Sequence, residues 1–214
     1  MPNNDFQKIL DQLEYLFEKY STTYRATTQP YLWKTVHNQF PKYKYHPDDN
    51  LVRETLMEHV GSLPVMATAF YPYINDPEVN LGDALTMLAI HDIGELKTGD
   101  EMTFTKKPED GETEYKAALG ILDPYYHDIY ADAESKTSKS AKFAKAIDKI
   151  TPDIMDYLTP KGVTVWRYKH YTGVDKPKDI INLIIKHKRP YMEWNDFMTK
   201  FHDFLMIELA KKLQ

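Results

Sequence analysis

Hydrophobic residues recur three or four positions apart through much of the chain, most clearly between residues 6 and 17 and between residues 143 and 158. Residues at this spacing share one face of an α-helix, so the pattern predicts a series of amphipathic helices. The apolar face of the first predicted helix is formed by Phe6, Ile9, Leu10, Leu13, Leu16 and Phe17.

Further helices are predicted where apolar segments follow a capping signal. Thr55 and Glu58 match a capping box, in which the hydroxyl and the carboxylate each accept a hydrogen bond from a free backbone amide, and Asn80 can cap the following helix. The second predicted helix begins near residue 55. The later ones cover residues 81–92, 112–122, 138–157, 178–187 and 192–212.

Pro64 interrupts the helix predicted to begin near Thr55, because proline removes a backbone N–H from a helix interior. Either the helix kinks at this proline, or Ser62 caps a later start and His59 lies in the preceding turn. Residues 21–50 are rich in Tyr, Thr, Pro and Lys and predict an irregular connection, whereas residues 163–166 give the one strand-like signal.

These elements together predict an all-α fold, a compact helical bundle in which residues 1–214 form one domain. The length of 214 residues suits a single domain, and the chain has no internal repeat or Gly/Ser linker. No apolar run reaches the roughly 18 residues of a membrane span. Residues 1–11 lack the pattern of a signal peptide, so we expect a cytoplasmic location and no membrane partner.

Composition excludes several kinds of chemistry. The chain has no cysteine, which excludes disulfides, thiolate zinc sites, iron–sulfur clusters and cysteine nucleophiles. The formal net charge of −5 argues against a broad basic surface for nucleic acid polymers. A small anionic ligand is still compatible with this charge, because a pocket can be locally positive.

The densest group of polar residues begins with His91 and Asp92, directly after the apolar residues of a predicted helix, and continues through Glu95 to Asp100. If the helix extends that far, His91, Asp92 and Glu95 project from neighbouring positions, three and four residues apart. Imidazole nitrogen and carboxylate oxygen together suit a divalent transition metal. The alternative is a solvated, charged helix end.

His59 and Asp148 are candidates for the same chemistry, although each has an ordinary structural explanation. His59 lies among apolar residues, where a single histidine is commonly a core residue with one hydrogen-bond partner. Asp148 lies beside the apolar face of a predicted helix, where a carboxylate is commonly a cap or a member of a salt bridge.

The order His59, His91-Asp92, Asp148 resembles the HD-domain superfamily of metal-dependent phosphohydrolases, and most closely its 5′-deoxynucleotidase branch. The central motif of that branch, His-Asp-x-x-Glu-x-x-Thr-Gly-Asp, is present in full from His91 to Asp100. The Glu-His pair at residues 58–59 and the helical segment 141–149 also resemble the family. The resemblance covers about residues 51–158 and implies an all-α fold of the HD type.

The resemblance implies a role for each motif residue. Glu95 would be the catalytic carboxylate near the attacking water, and Asp100 would lie on the substrate side of the site. One divalent transition metal (Mn, Co, Zn, Fe or Ni) would be bound by His59, His91, Asp92 and Asp148. The family is commonly dimeric, so a homodimer is also expected.

A phosphate ester needs cationic partners besides the metal, and three basic residues lie near the motif segments in sequence. Lys145 is three residues before Asp148 and therefore on the same side of the helix, and Arg53 and Lys97 lie close to other motif residues. Each is a candidate for substrate binding, although a solvated surface charge is the alternative.

The sequence departs from the deoxynucleotidases in one segment. Those enzymes have an Arg-Trp pair about fifteen residues before the first metal-binding histidine, used for phosphate and sugar. This chain has Tyr-Lys-Tyr-His at residues 43–46, and Trp33 and Lys34 lie farther upstream. The departure concerns nucleotide specificity and leaves the metal-binding motif intact.

The sequence therefore predicts a metal-dependent phosphohydrolase acting on a small phosphate monoester, with (deoxy)nucleoside 5′-monophosphates as the favoured class. One alternative keeps the site but changes the substrate to a nucleoside triphosphate, a cyclic nucleotide or a polyphosphate. Another is a nucleotide-binding protein that retains the scaffold without turnover.

Overall fold

The computed structural model describes residues 2–28, 53–102, 104, 106–159 and 161–214, and the predicted all-α fold is confirmed. Short 3₁₀ turns at Pro124–Tyr126 and Arg189–Tyr191 precede two of the helices. The α-helices of this part of the chain are α1 (Pro2–Thr22), α2 (Leu56–Ile74), α3 (Leu81–Ile90), α4 (Glu95–Thr98), α5 (Pro108–Leu119), α6 (His127–Ser135), α7 (Lys139–Leu158), α8 (Lys161–Thr172), α9 (Pro177–Lys188) and α10 (Asp196–Leu213).

Two short strands, β1 (Tyr24–Thr28) and β2 (Arg53–Thr55), pair in antiparallel fashion. Tyr24 is opposite Thr55, and the register shifts along the ladder. The sequence predicted an irregular connection over residues 21–50, and for β1 this was wrong. The strand was missed because it is stabilised by pairing with residues far along the chain rather than by a local pattern. The rest of that segment lies outside the described residues.

Helix α2 begins as predicted and continues through Pro64. The Thr55 hydroxyl accepts from the Glu58 amide at 3.2 Å, and the Glu58 carboxylate accepts from the Thr55 amide at 2.8 Å. The Ser62 hydroxyl donates to the carbonyl of His59 at 2.8 Å, so it does not cap a new helix. The later start is therefore wrong, and His59 lies within the helix.

Helix α3 ends earlier than predicted, at Ile90, and a turn separates it from the single-turn helix α4. This turn packs closely against α5. A Cβ atom built on Gly94 would lie 2.3 Å from the carbonyl oxygen of Glu114, so only glycine fits at this crossing. The close approach fixes the position of Glu95, the first residue of α4.

The predicted strand over residues 163–166 is wrong, because these residues belong to α8. The β-branched residues suggested an extended segment, but packing decides the outcome. Thr164 and Tyr168, four positions apart, are buried on the inner face of this helix. Tertiary packing thus outweighs the local strand preference of Val163 and Val165.

The buried apolar residues of the described part of the chain form two hydrophobic clusters. The larger joins α2, α3, α7, α9 and α10, with Leu63, Leu88, Phe143, Ile147 and Ile184 among its buried members. The smaller includes Tyr20, Leu56, Ile93, Leu96, Leu122 and Tyr130. None of the described helices is long and apolar enough to cross a membrane.

Candidate metal centre

The predicted metal ligands converge from three helices that pack against one another. His59 comes from α2, His91 and Asp92 follow α3, and Asp148 comes from α7. All four side chains are buried, with exposed fractions between 2% and 8%. Buried ionisable groups need compensating partners, so this cluster requires an electrostatic explanation.

The donor atoms are close enough to share one ion. His59 Nε2 lies 3.4 Å from Asp92 Oδ2 and 3.6 Å from Asp148 Oδ1. His91 Nε2 lies 3.0 Å from Asp92 Oδ1 and 3.7 Å from Asp148 Oδ1. Ligands bound at about 2.0–2.2 Å from an ion have similar separations. One ligand atom each from His59, His91 and Asp148 lie within 4.8 Å of one another.

Both imidazoles turn their Nε2 atoms towards the two carboxylates. These atoms are buried and have no hydrogen-bond partner. On the opposite edge, His91 Nδ1 is 2.9 Å from the carbonyl oxygen of Leu88, and His59 Nδ1 is 3.7 Å from Glu54 Oε2. A partner at Nδ1 orients the ring and leaves Nε2 for a metal. Two imidazoles and two carboxylates therefore fit a divalent transition ion.

The electrostatics of the cluster also favour a cation. Burial would raise the pKa of Asp92, but His91 and Arg25 outweigh it and hold this pKa well below its usual range. Burial would also raise the pKa of Asp148, but Lys149 and Lys145 hold this pKa well below its usual range. Both carboxylates are therefore ionised. Burial lowers the pKa of His91, yet Asp92 and Asp148 raise it to about 9.

Glu95 and Asp100 lie beside the cluster, joined by a residue that the sequence did not single out. Arg25 Nη1 donates to Asp92 Oδ2 at 2.9 Å and to Glu95 Oε2 at 3.2 Å, and lies 3.2 Å from Asp100 Oδ1. The backbone amide of Ala26 donates to Asp100. Strand β1 thus places one cation among three carboxylates.

Burial raises the pKa of Glu95 well above its ordinary value, and the charge of Asp92 adds to this effect. Only 4% of Glu95 is exposed. A buried carboxyl group with a raised pKa is a candidate general acid or base. Its position after the Gly94 turn places it against the candidate ligands.

Lys145 and Lys149 lie on the other side of the cluster. Their Nζ atoms are 3.1 Å and 3.2 Å from Asp148 Oδ2. A cleft beside the cluster is lined by both lysines, Arg25 and Lys106, and also by Glu95 and Asp100. We call this space the polar cleft. It is further lined by His91, Asp92, Glu101, Glu114, Glu134 and Asp148.

The other two basic candidates lie outside the polar cleft. Arg53 donates through Nε and Nη2 to the backbone carbonyl of Arg25, at 3.2 Å and 2.7 Å, and so supports β1. Lys97 is exposed and lines a neighbouring surface depression, whose wall includes Lys106 and Glu114 of the polar cleft.

Sequence reasoning missed Arg25 and Lys149 as members of the site. Arg25 has no fixed spacing from the motif, since it arrives through strand pairing. The one sequence signal that could have indicated it is that Arg25 is the single charged residue between residues 20 and 30. Trp33, Lys34 and residues 43–46 lie outside the described residues.

Comparison with known proteins gives a family match and a similar fold. Residues 44–174 match the family model described as HD domain. A solved structure, a predicted metal-dependent phosphohydrolase from Magnetospirillum magnetotacticum MS-1, is similar with a TM-score of 0.66 and 22% identity. That similarity covers 95% of this chain and 96% of the other. A search of curated proteins finds no match.

Proposed function

The chain belongs to the HD-domain family, and we propose that it is a metal-dependent phosphohydrolase that hydrolyses small phosphate monoesters, namely (deoxy)nucleoside 5′-monophosphates. One observation carries this proposal. Two buried imidazoles, whose Nε2 atoms have no hydrogen-bond partner, face two ionised carboxylates. They lie at the edge of a cleft that contains cationic side chains and Glu95, whose pKa is raised. The similar solved structure bears the same general description.

His59, His91, Asp92 and Asp148 would hold the ion, which could be Mn, Co, Zn, Fe or Ni because this donor set suits several ions. When bound, such an ion polarises phosphoryl oxygens and lowers the pKa of water. The two carboxylates balance its charge, so the site as a whole remains compatible with an anionic substrate.

Glu95 is the proposed general base. It would orient the attacking water and accept a proton from it, while the water oxygen bonds to phosphorus and the ester P–O bond breaks. The alcohol leaves after taking up a proton, and inorganic phosphate is the second product. Arg25, Lys145 and Lys149 offer donors that offset the negative charge accumulating on the phosphoryl oxygens.

Asp100 is proposed to act on the sugar side of the substrate. Arg25 and the amide of Ala26 hold its carboxylate in the wall of the polar cleft. An ionised carboxylate there can accept hydrogen bonds from sugar hydroxyls. We also propose that the chain belongs to the 5′-deoxynucleotidase branch, and the complete motif from His91 to Asp100 supports this.

The direct test is a panel of phosphate esters, assayed with added Mn²⁺ or Co²⁺ after metal content is measured by elemental analysis. We expect phosphate release from nucleoside 5′-monophosphates. Pyrophosphate or triphosphate release from nucleoside triphosphates, without activity on monoesters, would favour the alternative substrate class. Absence of turnover on every ester, with metal bound, would contradict the proposal.

A matched pair of variants separates an enzyme from a nucleotide-binding protein. Glu95→Gln should abolish hydrolysis while nucleotide binding is retained, because the amide cannot accept the proton from water. Glu112→Gln, on the exposed face of α5, should behave as the parent protein. If nucleotides bind tightly and neither variant changes a measurable rate, the non-catalytic alternative is favoured.

We also propose that the protein is a homodimer. Helix α1 carries exposed apolar side chains along one face, and such a row on a soluble protein commonly marks an interface. Light scattering coupled to size exclusion would measure the mass, and a monomer at micromolar concentration would contradict the proposal. The exposed side chains are Phe6, Ile9, Leu10, Leu13 and Phe17.

A further inference from the structure

A second cavity adjoins the polar cleft and is not used by the proposed chemistry. It lies between β1, the residues after α4, and helices α7, α8 and α9; we call it the side cavity. Its walls include Phe104, Arg167, Tyr168, Tyr171 and Lys188. These residues come from segments beyond the central motif, so the motif does not explain them.

The side cavity shares part of its wall with the polar cleft. Arg25 and Asp100 line both spaces. A monoester whose phosphoryl group lies in the polar cleft must direct its alcohol portion away from the histidines. Asp100 marks the side on which that portion would leave the cleft, and the side cavity opens there.

Aromatic rings form one wall of the side cavity. The ring centroids of Phe104 and Tyr168 are 6.5 Å apart, and the guanidinium of Arg167 lies 5.0 Å from the Tyr168 ring centroid. Tyr171 follows one turn of α8 after Arg167. Aromatic faces and guanidinium planes are the groups on which flat heterocycles stack.

The charges around the side cavity balance. Lys188 Nζ lies 2.5 Å from Asp153 Oδ1, and Arg167 pairs with Asp156, so two cations face two carboxylates. Both aspartates are fully buried. Further phosphate groups would find no excess positive charge here. This pairing argues against the binding of polyphosphate chains in the side cavity.

A donor remains available on one lining residue despite this pairing. Arg167 lines the side cavity, and its Nε is buried without a hydrogen-bond partner. Buried polar atoms are normally satisfied, so an unpaired one beside a cavity indicates a missing partner. A neutral molecule with a hydrogen-bond acceptor would satisfy this donor better than a purely apolar one.

We propose that the side cavity binds the organic leaving group of the substrate, a flat, uncharged heterocycle such as a nucleobase, and that Phe104, Arg167 and Tyr171 determine this specificity. The inference rests on the proposed function, because it extends the substrate from the phosphoryl group into the adjoining space. It implies that a base-free sugar phosphate is a poorer substrate than a nucleotide.

The first test compares nucleoside 5′-monophosphates with ribose 5-phosphate, which has the same kind of ester but no base. We expect kcat/KM for the best nucleotide to exceed that for ribose 5-phosphate by about tenfold or more, as one stacked base can supply. Tyr171→Ala should reduce this ratio about tenfold. Tyr171→Phe, which keeps the ring, should restore most of it.

Tyr125→Ala is the matched control, since Tyr125 is 84% exposed and does not line the side cavity. It should leave the ratio unchanged. Equal kcat/KM values for ribose 5-phosphate and every nucleotide in the parent protein would overturn the side-cavity proposal while leaving the proposed hydrolysis intact. No turnover on any ester, with metal bound, would instead count against the proposed function.

A binding measurement provides a readout independent of hydrolysis. Adenosine, guanosine, cytidine and thymidine, as phosphate-free probes, would be titrated into the parent protein and followed by NMR. Binding of at least one probe that is lost in Tyr171→Ala and kept in Tyr171→Phe and Tyr125→Ala would support the side cavity. Binding of none, or equal binding in all variants, would overturn it. Circular dichroism establishes that each variant is folded.

Discussion

At the scale of the residue, Arg25 has the most consequential position, because one guanidinium lies within 3.2 Å of Asp92, Glu95 and Asp100. Arg25→Met would keep much of the side-chain volume but remove a cation that both balances these carboxylates and can bind phosphate. We expect kcat to fall by roughly 10²–10³, as for the loss of one preorganised donor to a developing charge.

The measurement is steady-state phosphate release from a nucleoside monophosphate, after the metal content of the variant has been matched to that of the parent protein. Arg189→Met is the control, because Arg189 pairs with Asp203 on the surface after α9. Loss of activity in both variants would point to general damage. Full activity of Arg25→Met would remove Arg25 from the site.

His91 makes metal binding depend on pH. Its pKa of about 9 in the absence of metal means that the ring is protonated at pH 7, whereas a metal needs the Nε2 lone pair. The proton must leave when the ion binds. Affinity should therefore rise with pH, by up to about tenfold per unit, and level off above about pH 9.

Calorimetric titration of Mn²⁺ at pH 7, in buffers with different ionisation enthalpies, measures the protons released. We expect at least about one proton per ion. A heat that is independent of the buffer, with affinity constant from pH 6 to 8, would contradict a protonated His91.

The sequence predicted the histidines and aspartates of this centre, because their order and the spacing from His91 to Asp100 are properties of the chain itself. It could not predict Arg25, whose place depends on the pairing of β1 with β2. Lys145 was predicted from its helical spacing to Asp148, and the same helix brings Lys149 beside that carboxylate. Contacts within one helix follow from sequence more readily than contacts across a strand pair.

At the scale of the element, the crossing of the Gly94 turn with α5 has no space for a side chain. Gly94→Ala would place Cβ 2.3 Å from the carbonyl oxygen of Glu114, so α4 must shift. We expect a loss of about 1–3 kcal/mol in the free energy of unfolding, as for overpacked interiors. Activity should also fall, because Glu95 follows directly.

Denaturant unfolding and steady-state kinetics would measure both effects. Gly61→Ala is the control, since a Cβ there meets no atom within 4 Å and alanine favours the interior of α2. It should be neutral or stabilising by roughly 0.5–1 kcal/mol. If the Gly94→Ala protein is as stable as the Gly61→Ala protein, the turn accommodates the added Cβ without a loss in the free energy of unfolding.

Element boundaries were predicted where side chains act locally and missed where packing decides. The Thr55 capping box and the Asn80 cap set two helix starts as the sequence indicated. The end of α3 was missed because the turn after Ile90 is set by its contact with α5. Residues 163–166 were misassigned because the burial of Thr164 and Tyr168 is a tertiary effect.

At the scale of the whole molecule, a metal ion would connect three helices that otherwise meet through buried charges. Asp92 and Asp148 are ionised in the interior, compensated by Arg25, Lys145 and Lys149. An ion that binds the native state alone stabilises it by about 2.7 kcal/mol at a concentration 100 times its dissociation constant. For a chain of this size that corresponds to a rise in Tm of roughly 5–10 °C.

Thermal unfolding with EDTA and with saturating Mn²⁺ measures this shift, and two variants show where the ion binds. Asp148→Asn should abolish the rise, because an amide oxygen replaces the carboxylate that lies 3.6–3.7 Å from both imidazole Nε2 atoms. Asp203→Asn, at a half-exposed carboxylate paired with Arg189, should keep it. An equal rise in Tm in both variants would mean that the stabilising ion binds elsewhere than between α2, α3 and α7. The proposed centre would then not be the metal-binding site.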